Sequence, residues 1–182
     1  TFPSGGGTYD VVITGTFPGM KFNNGGDKLK LLTIDNFGIY GGGSNTQNSA
    51  FFGCSNLIVN ATDTGDFGSV TDFVAFFGAT NINSFPLIDT SSSNNFFFAF
   101  INSSALTTFP ANFFDDSSAT FYQQSFNGTN LTQQSIDNIL VSIDAAGATN
   151  GTFNQSGGSA PSSTGVAAKN SLSAKGWTVT TS

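Results

Sequence analysis

Four aliphatic residues recur at an almost constant spacing, and this constrains the fold more than any other feature of the chain. Leu57, Ile82, Leu106 and Leu131 follow one another at intervals of 25, 24 and 25 residues. Phenylalanine-rich lead-in segments precede the first three, at 50–54, 75–79 and 99–103. Self-similarity at a period of about 20–50 residues is typical of repeat proteins. The spacing therefore predicts a short solenoid, an architecture that usually serves as a binding surface.

Other positions follow the same period. Phe73, Phe97 and Tyr122 each precede an aliphatic anchor by nine residues, and Phe-Pro pairs follow two anchors, at 85–86 and 109–110. Each unit is therefore predicted to contain a bulky lead-in, a tight turn, a short strand and a return loop. Proline after the strand fits this scheme, because no ladder donor is needed there.

The composition excludes several classes of function. All eleven acidic residues are Asp and all five basic residues are Lys, in a chain of 182 residues with net charge −6. Without His there is no imidazole base, no histidine metal ligand and no Ser-His-Asp triad. Nucleic acid is an unfavourable partner, because phosphate binding needs clusters of Lys or Arg. The 21 Phe residues supply enough bulky apolar surface for a core.

The single cysteine forbids an internal disulfide. Cys54 is predicted to be a packing residue in a slot that Ala79, Ser103 and Gly128 fill in the other units, with a reactive or metal-binding thiol as the alternative. Apolar runs fall short of the ~20 residues that span a bilayer, so membrane insertion is not expected. Because the chain begins at Thr1, a processed product or a fragment of a longer protein is expected.

The N-terminal part is predicted to contain an arm and two strands. Residues 1–8 are rich in Gly, Ser and Pro, as linkers are. A strand is predicted over 9–17, and the alternating residues 28–34 predict a half-buried strand that forms the first rung. Glycines 41–43 are interpreted as a flexible loop, because the Lys and the helix of a phosphate loop are missing.

The C-terminal part is predicted to be a cap. Apolar residues at helical spacing over 136–143 predict a helix with Thr132 or Ser135 as N-cap and Gly147 as its stop. A short strand near 152–153, a helix over 163–175 and a closing strand at 177–179 follow. The predicted organisation is an N-terminal arm with capping strands and first rung at 1–47, repeats at 48–134 and an α/β cap at 135–182.

The lead-in segments also resemble a known family. Residues 50–57 read Ala-Phe-Phe-Gly-Cys-Ser-Asn-Leu, which is similar to the A-F-x-x-C-x-x-L pattern of BspA-like leucine-rich repeats in bacterial surface proteins. Residues 70–73 and 76–78 resemble a related variant of that pattern, with Phe in place of Met. A looser likeness at 15–18, 22–27 and 168–177 extends to surface proteins of aquatic bacteria and to phage tail or fibre proteins.

This resemblance implies a fold and a function. The implied fold is α+β: a short, right-handed, β-rich leucine-rich-repeat solenoid of about five coils, with an N-terminal strand cap and a C-terminal helix-strand cap. The implied function is non-catalytic adhesion or receptor binding on a bacterial or phage surface, without catalytic, cofactor or metal residues. Expected partners are a host surface protein or glycan, or neighbouring subunits of an assembly. The alternative is a structural subunit of a filament, or a capsid or tail decoration protein.

Three groups of residues are candidates for a site, although each has a structural explanation. The Phe pairs at 51–52, 76–77 and 113–114 fill a core, or expose their second ring to a glycan or a neighbouring subunit. The carboxylates of Asp63, Asp66, Asp115 and Asp116 serve turns, bind Ca²⁺, or supply the paired acids of a hydrolase. Six Asn-x-Ser/Thr sequences match the glycosylation pattern, which chance explains in so Asn-rich a chain; they begin at Asn60, Asn102, Asn127, Asn130, Asn150 and Asn154.

Overall fold

Four successive turns of eight residues carry the phenylalanine-rich segments. A computed structural model describes residues 6–15, 17–41 and 46–182. In it the turns occupy 47–54, 73–80, 96–103 and 122–129, and we call them turns 1 to 4. The aromatic rings at their centres, Phe51, Phe77, Phe100 and Phe126, form one column with successive centroid distances of 4.8, 6.2 and 5.3 Å.

Each turn bends because two of its residues are left-handed. In turn 1 they are Ser49 and Gly53, which lie two residues before and two residues after Phe51, with φ of 58° and 81°. The other turns repeat this placement, at Ala75 and Ala79, at Phe98 and Asn102, and at Gln124 and Gly128. Positive φ is unfavourable for residues with a Cβ, so the surrounding packing must hold these turns in place.

The backbone N–H groups of each turn alternate between two kinds of partner. In turn 1, Phe51 N donates to Phe76 O of turn 2 at 2.9 Å, whereas Ala50 N donates back to Gln47 O at 3.2 Å. Turns 2 and 3 follow the same alternation. Successive turns are therefore joined by parallel hydrogen bonds, but about half of their donors close the turn itself.

The prediction of a leucine-rich-repeat solenoid is wrong, as this hydrogen-bond pattern shows. The described residues contain two α helices and two small parallel sheets, of two and three strands, and no β-rich, right-handed leucine-rich-repeat solenoid of about five coils. A strand cannot extend through these turns, because alternate backbone N–H groups bond within the turn and two residues four positions apart have positive φ. The period was real, but it repeats turns rather than strands.

The strands are short and parallel. Strand β1 (Thr33–Ile34) pairs with β2 (Ile58–Val59), and β3 (Phe121–Tyr122) pairs with β4 (Thr152–Asn154), which pairs with β5 (Thr178–Thr180). The strand predicted at 28–34 is wrong over its first half, where Lys28–Lys30 forms a 3-10 helix. No strand occurs in the described part of 9–17; Phe17 makes an isolated bridge to Tyr40, and Thr16 lies outside the described residues.

The C-terminal elements confirm the local predictions most closely. Helix α1 (Gln133–Ala145) begins at the N-cap Thr132, and α2 (Ser163–Ala174) packs against it. The order β3-α1-β4-α2-β5 forms a three-stranded parallel sheet with two crossover helices. Gly147 and Gly176, which follow the helices, have φ of 78° and 84°. The domain boundaries after residues 47 and 134 stay a prediction.

One hydrophobic core runs through the molecule. Its buried residues extend from Phe37 to Trp177 and include the anchors Leu57, Ile82, Leu106 and Leu131, all fully buried. Beside the central column lies a second aromatic column of Phe73, Phe96 and Tyr122, with centroids 5.2 and 5.3 Å apart. Burying rings on this scale is the main favourable contribution to folding.

Candidate functional site

Three phenylalanine rings lie at the surface beside turns 3 and 4. Phe97 and Phe98 are half-buried, with ring centroids 3.7 Å apart and an interplanar angle of 28°. Phe121 is 44% exposed, and its ring lies 5.9 Å from that of Phe97. We call Phe97, Phe98 and Phe121 the aromatic face. Exposed aromatic clusters of this kind are uncommon on monomeric proteins and mark interaction sites.

The backbone of turn 3 places these rings outside. Phe96 is buried in the second aromatic column, so its neighbour Phe97 points away from the core. Phe98 is one of the two left-handed residues of the turn, with φ of 60°. The structure therefore corrects the prediction for Phe97: the buried position of turn 3 is Phe96, ten residues before Leu106 rather than nine.

Side-chain amides border the aromatic face. Asn95 lies between Asp72 and Phe121 in a row of parallel bridges, and its Oδ1 accepts a hydrogen bond from Phe97 N at 3.0 Å. Gln123 and Gln124 are half-buried and lie in turn 4, next to turn 3. Phe98 N of turn 3 donates to Gln123 O. Each amide offers a donor and an acceptor, which suits recognition of hydroxyl groups.

A second apolar strip crosses the neighbouring positions of turns 1 to 3. Phe52 is half-buried, and its ring lies across Gly78 toward Ile101. A Cβ at Gly78 would lie 2.7 Å from Phe52 Cδ2 and 3.0 Å from Ile101 Cγ2. Because Gly78 has no side chain, Phe52 and Ile101 can approach each other across it and form one apolar surface.

The charges are distributed unevenly along the chain. Nine Asp and no Lys occur between residues 31 and 168, because the five lysines are at positions 21, 28, 30, 169 and 175. Asp72 is the acidic residue closest in the bridge pattern to the aromatic face, and its Oδ1 accepts a hydrogen bond from Val74 N at 3.0 Å. Turns 3 and 4 and strand β3 therefore carry no basic side chain of their own that could pair with an anion.

The predicted exposure of Phe pairs applies to one pair only. Phe51 is buried and Phe52 half-buried, as the alternation of an extended chain would place them. Both residues of the other pairs are buried: Phe76, Phe77, Phe113 and Phe114 are between 0 and 2% exposed. In turn 2 the curled backbone directs both rings inward, where they meet edge to face at 4.7 Å.

Cys54 is a packing residue in this structure. Its side chain is fully buried, and burial raises the pKa of the thiol to about 11, an effect that Lys28 partly opposes. The slot three residues after each central Phe holds Cys54, Thr80, Ser103 and Thr129, so Ala79 and Gly128 were wrongly assigned to it. Thr80 and Thr129 use their hydroxyls to donate to Phe77 O and Phe126 O.

The aspartate clusters do not converge on a metal site. Asp63 accepts hydrogen bonds from Phe37 N and Gly38 N, at 3.0 and 2.8 Å. Asp66 accepts one from Gly68 N, as turn residues do. Asp115 accepts a hydrogen bond from Ser142 of α1, and Asp116 is exposed. Within the described ranges no three potential ligand side chains group together.

An apolar groove lies at the N-terminal end. Its volume is about 900 Å³, and residues 6–15 form one wall while 30–40 form the other. Val11 and Val12 on the first wall are 64 and 84% exposed, and Ile39 on the second is 62% exposed. Residues 1–5 of the predicted arm at 1–8, and glycines 42 and 43 of the predicted loop, lie outside the described residues.

The remaining candidates are surface features. Among the glycosylation-type sequences, Asn60, Asn102, Asn130 and Asn150 are exposed, whereas Asn127 and Asn154 are half-buried. Where the chain is described, neither helix is long and apolar enough to cross a bilayer.

Sequence reasoning missed the aromatic face as a unit. Its signal was the run of three phenylalanines at 96–98, of which the structure buries only Phe96. Phe121 precedes Tyr122 in β3, and side chains alternate between the two faces of a strand. Searches against family models, curated proteins and solved structures find no match to this chain.

Proposed function

We propose that this chain is a non-catalytic adhesion or receptor-binding module on the surface of a bacterial cell or a phage virion. The observation that carries the proposal is the aromatic face, where Phe97, Phe98 and Phe121 remain accessible although the chain buries most of its other Phe side chains. An apolar patch bordered by polar groups is typical of a recognition surface.

Two features of the sequence support this role. The absence of His, Glu and Arg removes the residues most used for acid–base catalysis and anion activation. The sequence pattern of residues 50–57 and 70–78 resembles BspA-like surface proteins, and this supports an extracellular location. The resemblance concerns the sequence and not the fold.

The proposal is tested by binding to cells. Fluorescently labelled protein is incubated with a panel of bacterial strains and measured by flow cytometry, alongside the variants Phe121→Ala and Phe97→Ala. Binding to some strains is expected, with a loss of about tenfold in each variant, because truncating a central aromatic contact costs 1–2 kcal/mol. Val166→Ala on α2 is the control, since Val166 is also 44% exposed. Binding that the Phe variants leave unchanged, or no binding to any strain, contradicts the proposal.

A second candidate function, a structural subunit, is favoured by the N-terminal groove. β1 pairs with β2 alone, so its other edge carries no strand within the described ranges, and exposed Val11 and Val12 lie beside it. Free edges and apolar patches promote association between copies. A structural subunit should show a mass that rises with concentration in static light scattering, and Val12→Lys should abolish the rise while Val141→Lys on α1 should not. A monomer at millimolar concentration excludes this role.

A further inference from the structure

We propose that the aromatic face binds a neutral oligosaccharide. This inference rests on the proposed adhesion function and names the chemistry of its ligand. It follows from three properties of the face: rings that are partly open to solvent, side-chain amides in the neighbouring turn positions, and the lack of any basic residue in turns 3 and 4 and in β3.

The rings provide a surface for the apolar side of a sugar. A phenylalanine ring carries negative partial charge on its face, and the C–H groups on one side of a pyranose carry positive partial charge. Phe97 and Phe98 are stacked on each other at 3.7 Å, so the pair acts as one unit that offers only its uncovered ring surface, and Phe121 lies 5.9 Å from Phe97. The backbone beneath Phe97 and Phe121 is held by hydrogen bonds, from Phe97 N to Asn95 Oδ1 and in the pairing of β3 with β4, which limits the entropy lost when a flat ligand stacks there.

The amides supply directional contacts for hydroxyl groups. Asn95 Oδ1 is already used by Phe97 N, which fixes the side chain and leaves its NH₂ group to donate. Gln123 and Gln124 lie half-buried in the next turn, with a donor and an acceptor each. A sugar hydroxyl, which also both donates and accepts, can pair with either end of these groups.

The charges select against acidic sugars. A sialic acid or a sulfate is bound most strongly by a cationic side chain, and turns 3 and 4 and β3, which carry the face, contain no basic residue. Asp72 stands in the same bridge row as Asn95, so an anion placed on the face would be repelled. The same argument disfavours an acidic protein segment as the ligand of this face.

The experiment compares matched sugars by saturation-transfer difference NMR on the intact chain. Lactose, 3′-sialyllactose, cellotetraose and chitotetraose are the probes, and a broad glycan array extends the neutral set. At least one neutral sugar is expected to receive saturation, strongest on its ring C–H protons. Phe121→Ala and Phe97→Ala should weaken its binding at least tenfold, and Val166→Ala should leave it unchanged. Each variant is checked by circular dichroism for an unaltered fold.

The outcomes separate this inference from the proposed function. If the protein adheres to cells through Phe97 and Phe121 but binds no glycan, or if it prefers sialylated or sulfated sugars, the neutral-glycan assignment is overturned and the adhesion function stands. If neutral glycans bind but the Phe variants bind equally well, the assigned face is wrong. If neither glycans nor cells are bound, both the inference and the function fail.

Discussion

At the scale of single residues, Cys54 shows how burial lowers the reactivity of a thiol. The thiol is fully buried at the position where the other turns carry Thr80, Ser103 and Thr129. Because burial disfavours the thiolate, the pKa of Cys54 is raised to about 11. A thiol that is both inaccessible and protonated is a poor nucleophile.

Cys54 is therefore expected to resist thiol reagents while the chain is folded. At pH 8, 5,5′-dithiobis(2-nitrobenzoate) should label it fully in 6 M urea but at least a hundredfold more slowly in buffer, as followed at 412 nm. Equal labelling rates in the two conditions would contradict the burial.

The same pKa has a consequence for stability. The folded-state pKa lies above the ordinary value of 9.0, so the stabilising contribution of the neutral thiol is complete below pH 9 and is lost as the pH rises through about 11. Cys54→Ser should remove only the share of the pH dependence that Cys54 contributes, while the buried Tyr40 and Tyr122, whose pKa burial also raises, keep theirs. Its cost should be about 1 kcal/mol or less, because a serine there can donate to Phe51 O as the threonines do in their turns. Cys54→Leu should cost about 1–3 kcal/mol by overpacking the slot. Urea unfolding at pH 7 and pH 10.5 measures these differences.

At the scale of elements, the contact between α1 and α2 depends on one buried carboxylate. Asp137 of α1 is 5% exposed and accepts hydrogen bonds from both the backbone N, at 2.9 Å, and the hydroxyl of Ser162. Ser162 is the N-cap of α2, and its hydroxyl accepts from Thr164 N. A Cβ at Gly165 would overlap the Asp137 carboxylate, so glycine is required where the helix meets it.

Replacing Asp137 is expected to destabilise the C-terminal part strongly. Asp137→Ala should lower the free energy of unfolding by about 2–3 kcal/mol, because it removes a charged acceptor and its favourable interaction with the N-terminus of α2. Asp116→Ala is the matched control, since Asp116 is exposed, and should change it by less than about 0.5 kcal/mol. Chemical denaturation followed by circular dichroism compares them; equal effects of the two substitutions would refute the capping role.

The elements that the sequence predicts correctly are those with local signals. Thr132 and Gly147 bound α1, and Gly176 follows α2, because caps and left-handed stops are encoded within a few residues. The repeated turns were missed because their curvature depends on Ser49, Ala75, Phe98 and Gln124 adopting positive φ, which no propensity favours for Ala or Phe. Neighbouring turns impose that conformation through their hydrogen bonds.

The anchors are spaced more regularly than the central rings, and this difference affects the prediction for Phe97. The central rings Phe51, Phe77, Phe100 and Phe126 are separated by 26, 23 and 26 residues, whereas the anchors are 25, 24 and 25 apart. The distance from ring to anchor therefore alternates between six and five residues. Counting back from Leu106 by a fixed number selects Phe97 instead of Phe96, and this single-residue error assigns a half-buried ring to the core.

At the scale of the whole molecule, one continuous core runs from Phe37 to Trp177. Phe51 in turn 1 stacks on Phe77, and the column continues through Phe100 and Phe126 to Phe153 in β4. The only tryptophan, Trp177, packs on Tyr122 at 5.9 Å and donates its indole N–H to Ala148 O. It reports on the C-terminal end, far along the column from Phe51.

Unfolding is therefore expected to be a single cooperative transition. Phe51→Ala should lower the free energy of unfolding by about 3–5 kcal/mol, and the midpoint recorded by Trp177 fluorescence should move as far as the midpoint recorded by far-ultraviolet circular dichroism. Val12→Ala is the control, because Val12 is 84% exposed and should shift neither midpoint. If Phe51→Ala produces an early transition by circular dichroism while Trp177 fluorescence keeps its original midpoint, the two ends unfold separately. The shared aromatic columns would then not couple turn 1 to the sheet β3-β4-β5.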